Sequence, residues 1–168
     1  MKKTEIGKGR FYSDGKLGLR EVLDEGPQYK LYDAVSDVDC LRYRVLSAQS
    51  SFATEQQGNM TRTSFATWAK HEIPADQVQA FLIDLQATKI LGKLTEPQRV
   101  FLKEFDPDLT VGDSIECSRK EFRAAVSCRE KGLIAEMPAQ LQANERFYDV
   151  KFTVLGLAVL AGLAKSQE

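Results

Sequence analysis

The side chains best placed to do chemistry lie in residues 118–131. Ser118 and Glu121 stand three positions apart as an S-x-x-E capping box, which predicts that a helix begins here. The apolar residues that follow recur at helical spacing and are predicted to face a core: Phe122, Ala125 and Val126. The other side of the helix then carries cations and a hydroxyl: Arg119, Lys120, Arg123 and Ser127. Guanidinium and ammonium groups arranged in this way bind anions, and arginine adds a rigid fork of N–H donors.

Signatures of catalysis are missing from the sequence. It contains no G-x-x-x-x-G-K-[ST], no G-x-S-x-G and no H-E-x-x-H. The single histidine, His71, has no partner that the sequence identifies, and we interpret it as a surface or capping residue. Carboxylate-only catalysis stays open, although no residue pattern points to it. The sequence therefore predicts a protein that is not an enzyme.

The cysteines exclude two further classes of protein. Cys40, Cys117 and Cys128 are odd in number and form no C-x-x-C pair. This spacing argues against a zinc finger and against a disulfide framework. We interpret them as small buried thiols of a reducing compartment. No metal and no cofactor are expected.

The charge is close to balanced, with a formal net charge of −1. Residues 1–72 hold 11 Lys and Arg against 10 Asp and Glu, and residues 73–168 hold 12 against 14. This balance counts mildly against nucleic-acid binding, because neutralising phosphates supplies much of the affinity. A local basic face would still suffice.

The start, Met1-Lys2-Lys3, continues into polar residues unlike a signal peptide. The longest apolar run, 154–164, is shorter than the roughly 20 residues that span a bilayer. A cytoplasmic protein without a membrane partner is expected.

The first part of the chain is predicted to be rich in β-strands. Short runs of strand-forming residues recur about every ten positions, at 17–23, 29–32, 41–46 and 60–63. A flexible hairpin loop is predicted for residues 47–59, and a short helix capped by Ser64 for residues 64–70. These signals indicate a small barrel over residues 1–72. The pattern resembles SH3-like barrels and also small proteins encoded by bacteria, phages and plasmids.

Aromatic and basic residues of this part offer a possible binding surface. Its members are Tyr29, Tyr32, Arg42, Arg44 and Trp68. Such a surface serves single-stranded nucleic acid or proline-rich peptides. The alternative is that the aromatic rings fill the barrel while the arginines solvate its outside. Strand alternation places Tyr43 with Leu41 and Val45, so Tyr43 is predicted to be in the core.

The period of the apolar residues changes at residues 71–74, which predicts a boundary before a helical domain at 73–168. One helix is expected from about Asp76, and the next is capped by Thr95 with Pro97 in its first turn. The buried side of that second helix is predicted to carry Val100, Phe101 and Phe105. Residues 109–117 are interpreted as a further helix of one or two turns.

The signals after residue 131 predict a β-hairpin and a last helix. Gly132 is a helix stop just after Lys131. Strands are predicted at 133–137 and 147–152, joined by a polar loop at 138–146 that contains Arg146. Thr153 is then predicted to cap an apolar helix over residues 155–163, which must bury its surface in this domain or against another subunit.

Residues 94–163 resemble the winged helix-turn-helix family, and their ending resembles its MarR-type branch. The resemblance rests on Lys131-Gly132-Leu133-Ile134 closing the recognition helix, and on Thr153 with Gly156 following the wing. Two features depart from the family: the short second helix, and a wing that lacks an acid-plus-arginine pair. The fold class implied is α+β, an SH3-like β-barrel followed by a winged-helix domain.

The resemblance implies a transcriptional regulator that binds double-stranded DNA. The capped helix would lie in the major groove, where Arg119 and Arg123 reach base edges from one face. Lys120, Lys131 and Arg146 would contact phosphates, with Ser118 and Ser127 beside them. The alternative is a phage- or plasmid-type adaptor that inhibits a host protein complex through the barrel or the winged helix. The resemblance also implies a homodimer formed through the last helix.

Overall fold

The computed structural model describes residues 1–33, 36–49 and 54–166. It confirms a mixed α+β protein with five helices and two antiparallel sheets in the described residues. The chain forms two compact units, Met1–Leu82 and Ile83–Glu168. The division falls within one helix, ten residues after the position at which the sequence predicts a domain boundary.

The first unit is a five-stranded sheet with one helix. Its elements are β1 (Phe11–Ser13), β2 (Leu19–Glu25), β3 (Cys40–Ser47), β4 (Gln57–Thr61), α1 (Arg62–Trp68) and β5 (His71–Ile73). The strands lie in the order β4-β3-β2-β1-β5, and every neighbouring pair is antiparallel. Within the described residues β4 and β5 are edge strands that do not pair with each other, so the sheet is open rather than a closed barrel.

The core of this unit forms between the sheet and α1. Tyr12, Val22, Leu41 and Phe65 are all fully buried. The rings of Tyr12 and Phe65 meet edge to face, with centroids 5.5 Å apart. Tyr43 packs against this cluster, which confirms its predicted place in the core.

Several local predictions for this unit are wrong. Residues 29–32 are not a strand, because Pro27–Tyr29 form a 3-10 turn after Gly26, whose φ of +146° bends the chain. The cap of α1 is Thr61 rather than Ser64, since the Thr61 side chain accepts a hydrogen bond from the Ser64 amide. The segment read as a boundary, His71–Ile73, is a strand that pairs with β1. The predicted loop at 47–59 is shorter, because β4 begins at Gln57; its residues 50–53 lie outside the described residues.

The second unit contains a three-stranded sheet and most of the helices. The helices are α2 (Val78–Leu91), which contains the division between units, α3 (Glu96–Leu102), α4 (Phe122–Glu130) and α5 (Val154–Lys165). The strands are β6 (Ile115–Ser118), β7 (Ile134–Glu136) and β8 (Phe147–Phe152). They lie in the order β6-β8-β7, so the last strand in sequence is the central one. Helices and sheet share one buried cluster, to which Phe101, Leu133, Val150 and Val159 belong.

Local signals predict most of the element ends in this unit. Thr95 and Gln98 form a capping box at α3, and Thr153 caps α5 by accepting a hydrogen bond from the Gly156 amide. Gly132 has a φ of +76° and ends α4 in a Schellman motif, in which the Leu133 amide donates to the Cys128 carbonyl. The predicted strand at 147–152 is confirmed.

Two predictions for this unit fail. Residues 109–117 do not form a helix; they turn at residues 110–113 and then form β6. Strand pairing with β8 replaces the helical hydrogen bonds there. Val100 is 52% exposed, because the face that α3 buries carries Gln98, Phe101 and Leu102 instead.

Candidate nucleic-acid interface

The cationic segment begins with a capped 3-10 turn. Arg119–Glu121 form this turn directly before α4. The Ser118 amide donates to the Glu121 carboxylate over 2.9 Å, and the Ser118 hydroxyl accepts from the Lys120 amide. These reciprocal bonds confirm the predicted capping box. They fix the backbone so that the side chains of Arg119 and Lys120 are exposed.

Arg119 holds the loop of residues 138–146, which we call the wing loop. Its backbone amide donates to the Arg146 carbonyl over 2.8 Å. Its guanidinium Nη1 donates to the carbonyls of Gln142 and Glu145, the latter over 2.8 Å. The Gln142 amide in turn donates to the Glu145 carboxylate. Because arginine contributes backbone and side-chain donors to one loop, the start of α4 and the wing loop are fastened together.

A groove of about 380 Å³ separates α4 from the wing loop. Its α4 side is lined by Arg119, Phe122 and Arg123, and its loop side by Ala139, Gln140 and Leu141. The Phe122 ring packs edge to face on Tyr148, with centroids 5.1 Å apart, and this contact holds Phe122 in place. The fold therefore brings Arg119 and Arg123 to one groove, with Arg146 beside Arg119.

Three of the predicted cations are free to meet a ligand. Lys120, Arg123 and Arg146 are exposed, and none of them has an ion pair within the described residues. The face is not uniformly basic. A hydrogen bond with Glu121 raises the pKa of Glu104, so the last residue of the 3-10 turn belongs to an acid pair. The charge of this segment is therefore mixed.

The remaining predicted residues of this set have other surroundings. Ser118 is the cap described above. Ser127 accepts a hydrogen bond over 2.7 Å from the side-chain amide of Gln98, which is 2% exposed, and so links α4 to α3. Lys131 is half-buried at the far end of α4. These three side chains are not gathered at the groove with Arg119 and Arg123.

The residues predicted to form a binding surface in the first unit have different partners. Tyr29 donates a hydrogen bond to Asp24 over 2.7 Å, and this bond, with one from Lys8, lowers the pKa of Asp24 to about 2. Tyr32 is 73% exposed, whereas Arg44 pairs with Glu21 over 2.6 Å. Arg42 is exposed, and Trp68 packs on the Phe65 ring at the core side.

One residue with unusual surroundings was not singled out from the sequence. The Arg20 guanidinium carbon lies 4.1 Å from the centroid of the Trp68 ring and 4.5 Å from that of Tyr43. Strand alternation could have identified Arg20 from the sequence. Arg20 stands two positions before the buried Val22, so both side chains lie on the same face of β2. An arginine on a buried strand face requires a partner or an aromatic contact.

The described residues contain no group of three or more His, Cys, Asp or Glu that could hold a metal ion. All three cysteines are free and buried, as predicted. Burial raises the pKa of the Cys117 thiol to about 12 and that of Cys128 to about 11. These thiols are therefore neutral core groups rather than nucleophiles.

No helix in the described part of the chain has the length and apolar character needed to cross a membrane. The groove between α4 and the wing loop is a cavity of the second unit that two of the predicted residues, Arg119 and Arg123, line. No family model, curated protein or solved structure matches the chain.

Proposed function

We propose that the protein binds double-stranded DNA through the 3-10 turn, α4 and the wing loop, and acts as a transcriptional regulator. The observation that carries the proposal is that three exposed cations without an ion pair among the described residues lie on these three segments: Lys120 on the 3-10 turn, Arg123 on α4 where it lines the groove, and Arg146 at the end of the wing loop. Phosphates attract such cations, and the release of counterions from DNA supplies affinity. The capped start of α4 and the β7–β8 hairpin support the winged-helix reading of residues 94–163.

Each cation has a distinct role in this proposal. Arg123 projects from the first turn of α4, where its forked donors match the acceptors of a guanine edge. Lys120 and Arg146 lie at the 3-10 turn and the wing loop, where they contact phosphates and fix the register. Arg119 holds the wing loop in place, because its guanidinium is already bound to two loop carbonyls.

The proposed binding mode differs from a standard helix-turn-helix. Residues 109–117 supply a turn and β6 where the family would have a second helix to cross the DNA backbone. The backbone contact must therefore come from the wing loop. This requirement makes Arg146 more important for affinity than a single wing residue is when a second helix is present.

A mobility-shift titration with duplex DNA at two salt concentrations tests the proposal. The variant Lys120→Ala/Arg123→Ala/Arg146→Ala is expected to lose binding, with Arg123→Ala alone costing about 1–3 kcal/mol. Removing Lys120 or Arg146 singly is expected to lower the salt slope by about 1. The matched control removes three exposed lysines elsewhere in the unit, Lys93, Lys103 and Lys165. No binding by the native protein at low salt, or equal losses in both triple variants, would contradict the proposal.

The second candidate function is that of an adaptor, of phage or plasmid type, that inhibits a host protein complex. Its support is a set of exposed apolar side chains in the first unit: Leu31, Tyr32 and Val38, with 59%, 73% and 56% exposure. These three residues stand within eight positions of one another in the sequence, and an exposed apolar patch favours protein contacts. Co-purification from a bacterial lysate separates the two candidates, since a stoichiometric protein that survives nuclease treatment supports the adaptor.

Three further expectations stay proposals. Five short antiparallel strands and α1 support an SH3-like arrangement of the first unit, although the sheet is open. A homodimer through α5 has limited support, because Val159, Leu160 and Leu163 are buried within the chain's own core and only Val154 among its large apolar residues is exposed. Light scattering at micromolar concentration tests the dimer. A cytoplasmic location is the third.

A further inference from the structure

Arg20 lacks the kind of partner that the other half-buried arginines of the first unit have. Arg44 pairs with Glu21 over 2.6 Å, and Arg62 pairs with Glu25 and Asp39. Among the described residues no carboxylate lies within ion-pair distance of Arg20, whose only polar contact is the Met60 sulfur at 4.0 Å. Burial accordingly lowers the pKa of Arg20. A half-buried guanidinium is normally paired with a carboxylate.

The aromatic rings beside Arg20 account for only part of its surroundings. Trp68 and Tyr43 lie against the guanidinium at 4.1 Å and 4.5 Å from their centroids, a cation–π arrangement. Such contacts use the face of the guanidinium, so that among the described residues its edge donors meet only the Met60 sulfur. Those donors are what a ligand would meet.

Arg20 also lines a cavity of about 140 Å³. The other walls include Asp14, Gly18, Val45, Gln49 and Trp68. One Asp14 oxygen is occupied, because it accepts hydrogen bonds from the amides of Lys16 and Gly18 over 2.8 Å and 2.9 Å. The cavity thus combines a half-buried cation, an aromatic wall and a small volume.

We propose that this cavity is a binding site for a single carboxylate group of a small molecule, with Arg20 as its anchor and Trp68 as its wall. A planar carboxylate matches the guanidinium fork through two parallel hydrogen bonds. The negative charge of Asp14 nearby disfavours a dianion such as phosphate, which would face stronger repulsion than a monoanion. The small volume favours a ligand of few heavy atoms.

The single tryptophan of the chain reports on this site directly, since Trp68 is the only one. Its fluorescence is followed while sodium acetate replaces sodium chloride at constant ionic strength, up to about 100 mM because so small a ligand binds weakly. The proposal expects a saturable change with acetate and a smaller or absent change with sodium phosphate. The change is expected to vanish in Arg20→Gln and to persist in Arg42→Gln, an exposed arginine of the same sheet.

A second measurement covers the case in which Arg20→Gln does not fold. The side-chain Nε–Hε resonance of Arg20 in the native protein is then followed by NMR in the same titration, and it is expected to shift as acetate binds. Identical responses to acetate and chloride, an undiminished response in a folded Arg20→Gln protein, or an unmoved Arg20 resonance would each overturn the carboxylate site. A stronger response to phosphate than to acetate would overturn the choice of ligand.

Discussion

At the scale of single residues, Arg119 connects the two parts of the proposed interface. Its backbone amide binds the Arg146 carbonyl, and its guanidinium binds the carbonyls of Gln142 and Glu145. Hydrogen bonds from a charged donor are stronger than neutral ones. The position of Arg146 therefore depends on a residue that is 27 positions earlier in the chain.

Replacing Arg119 with alanine is expected to loosen the wing loop without unfolding the unit. Loss of a net hydrogen-bond contribution of about 1 kcal/mol corresponds to roughly fivefold faster amide exchange in residues 138–146. Hydrogen exchange measured by mass spectrometry checks this. Arg123→Ala is the control, because Arg123 lines the same groove but none of the loop's hydrogen bonds described above comes from it. Equal exchange in the two variants would show that the loop is held by its own contacts.

At the scale of elements, the start of α5 is locked against the end of α4. The Thr153 hydroxyl donates to the Gly132 carbonyl over 2.7 Å while it accepts from the Gly156 amide. Gly156 lies so close to the chain that an added Cβ would be 2.1 Å from the Leu133 carbonyl oxygen. The Thr-x-x-Gly spacing is thus explained by a capping hydroxyl followed by a close backbone approach.

Gly156→Ala is expected to destabilise the protein by about 1–3 kcal/mol or more, because backbone must move to admit the methyl group. Urea denaturation measures the change. Gly162→Ala serves as the comparison in the same helix, since its Cβ would meet only the flexible end of Leu91. Alanine also favours a helix over glycine by up to about 1 kcal/mol, which offsets that contact. A Gly156→Ala protein as stable as Gly162→Ala would contradict the close approach.

Caps and glycine stops were predictable from sequence because they depend on residues three or four positions apart. Thr95, Ser118, Gly132 and Thr153 all belong to this class. β6 was not predictable in this way, since its hydrogen-bond partner β8 lies about thirty residues later and its own residues carry no strong alternation. The exposure of Arg123 was predictable from helical spacing, and that of Arg146 from the polar loop in which it lies. Two hydrogen bonds of the site were not predictable, because they join residues far apart in the sequence. They are the bond from the Arg119 guanidinium to the wing loop and the bond from Gln98 to Ser127.

At the scale of the whole molecule, each unit contains a buried thiol that reports on its folding. Cys40 is in the first unit, and Cys117 and Cys128 are in the second. Burial raises the pKa of all three thiols. The pKa of the Cys117 thiol is about 12 in the folded protein, against 9.0 for an exposed thiol. Burial of the neutral thiol therefore stabilises the fold fully below pH 9, and this stabilisation is lost as the pH rises toward 12.

Native protein is therefore expected to resist alkylation at pH 8, where about one in ten thousand Cys117 thiols is ionised, given a pKa of about 12. Iodoacetamide labelling followed by mass spectrometry checks this at each cysteine, and labelling in urea provides the reference for the exposed thiol. Rapid labelling of Cys117 or Cys128 in the native protein would show that the second core opens readily.

The strand order β6-β8-β7 also determines when the second sheet can form. β8 is central and contributes every hydrogen-bonded partner of β6 and β7, for example Val150 opposite Ile115. During synthesis β6 and β7 therefore stay unpaired until residues 147–152 have left the ribosome. Pairings over such sequence separations are slow to form, and unpaired edges are prone to aggregate. The capped turn and the glycine stop that flank α4 are local structures that can form during this interval and keep the two waiting strands apart.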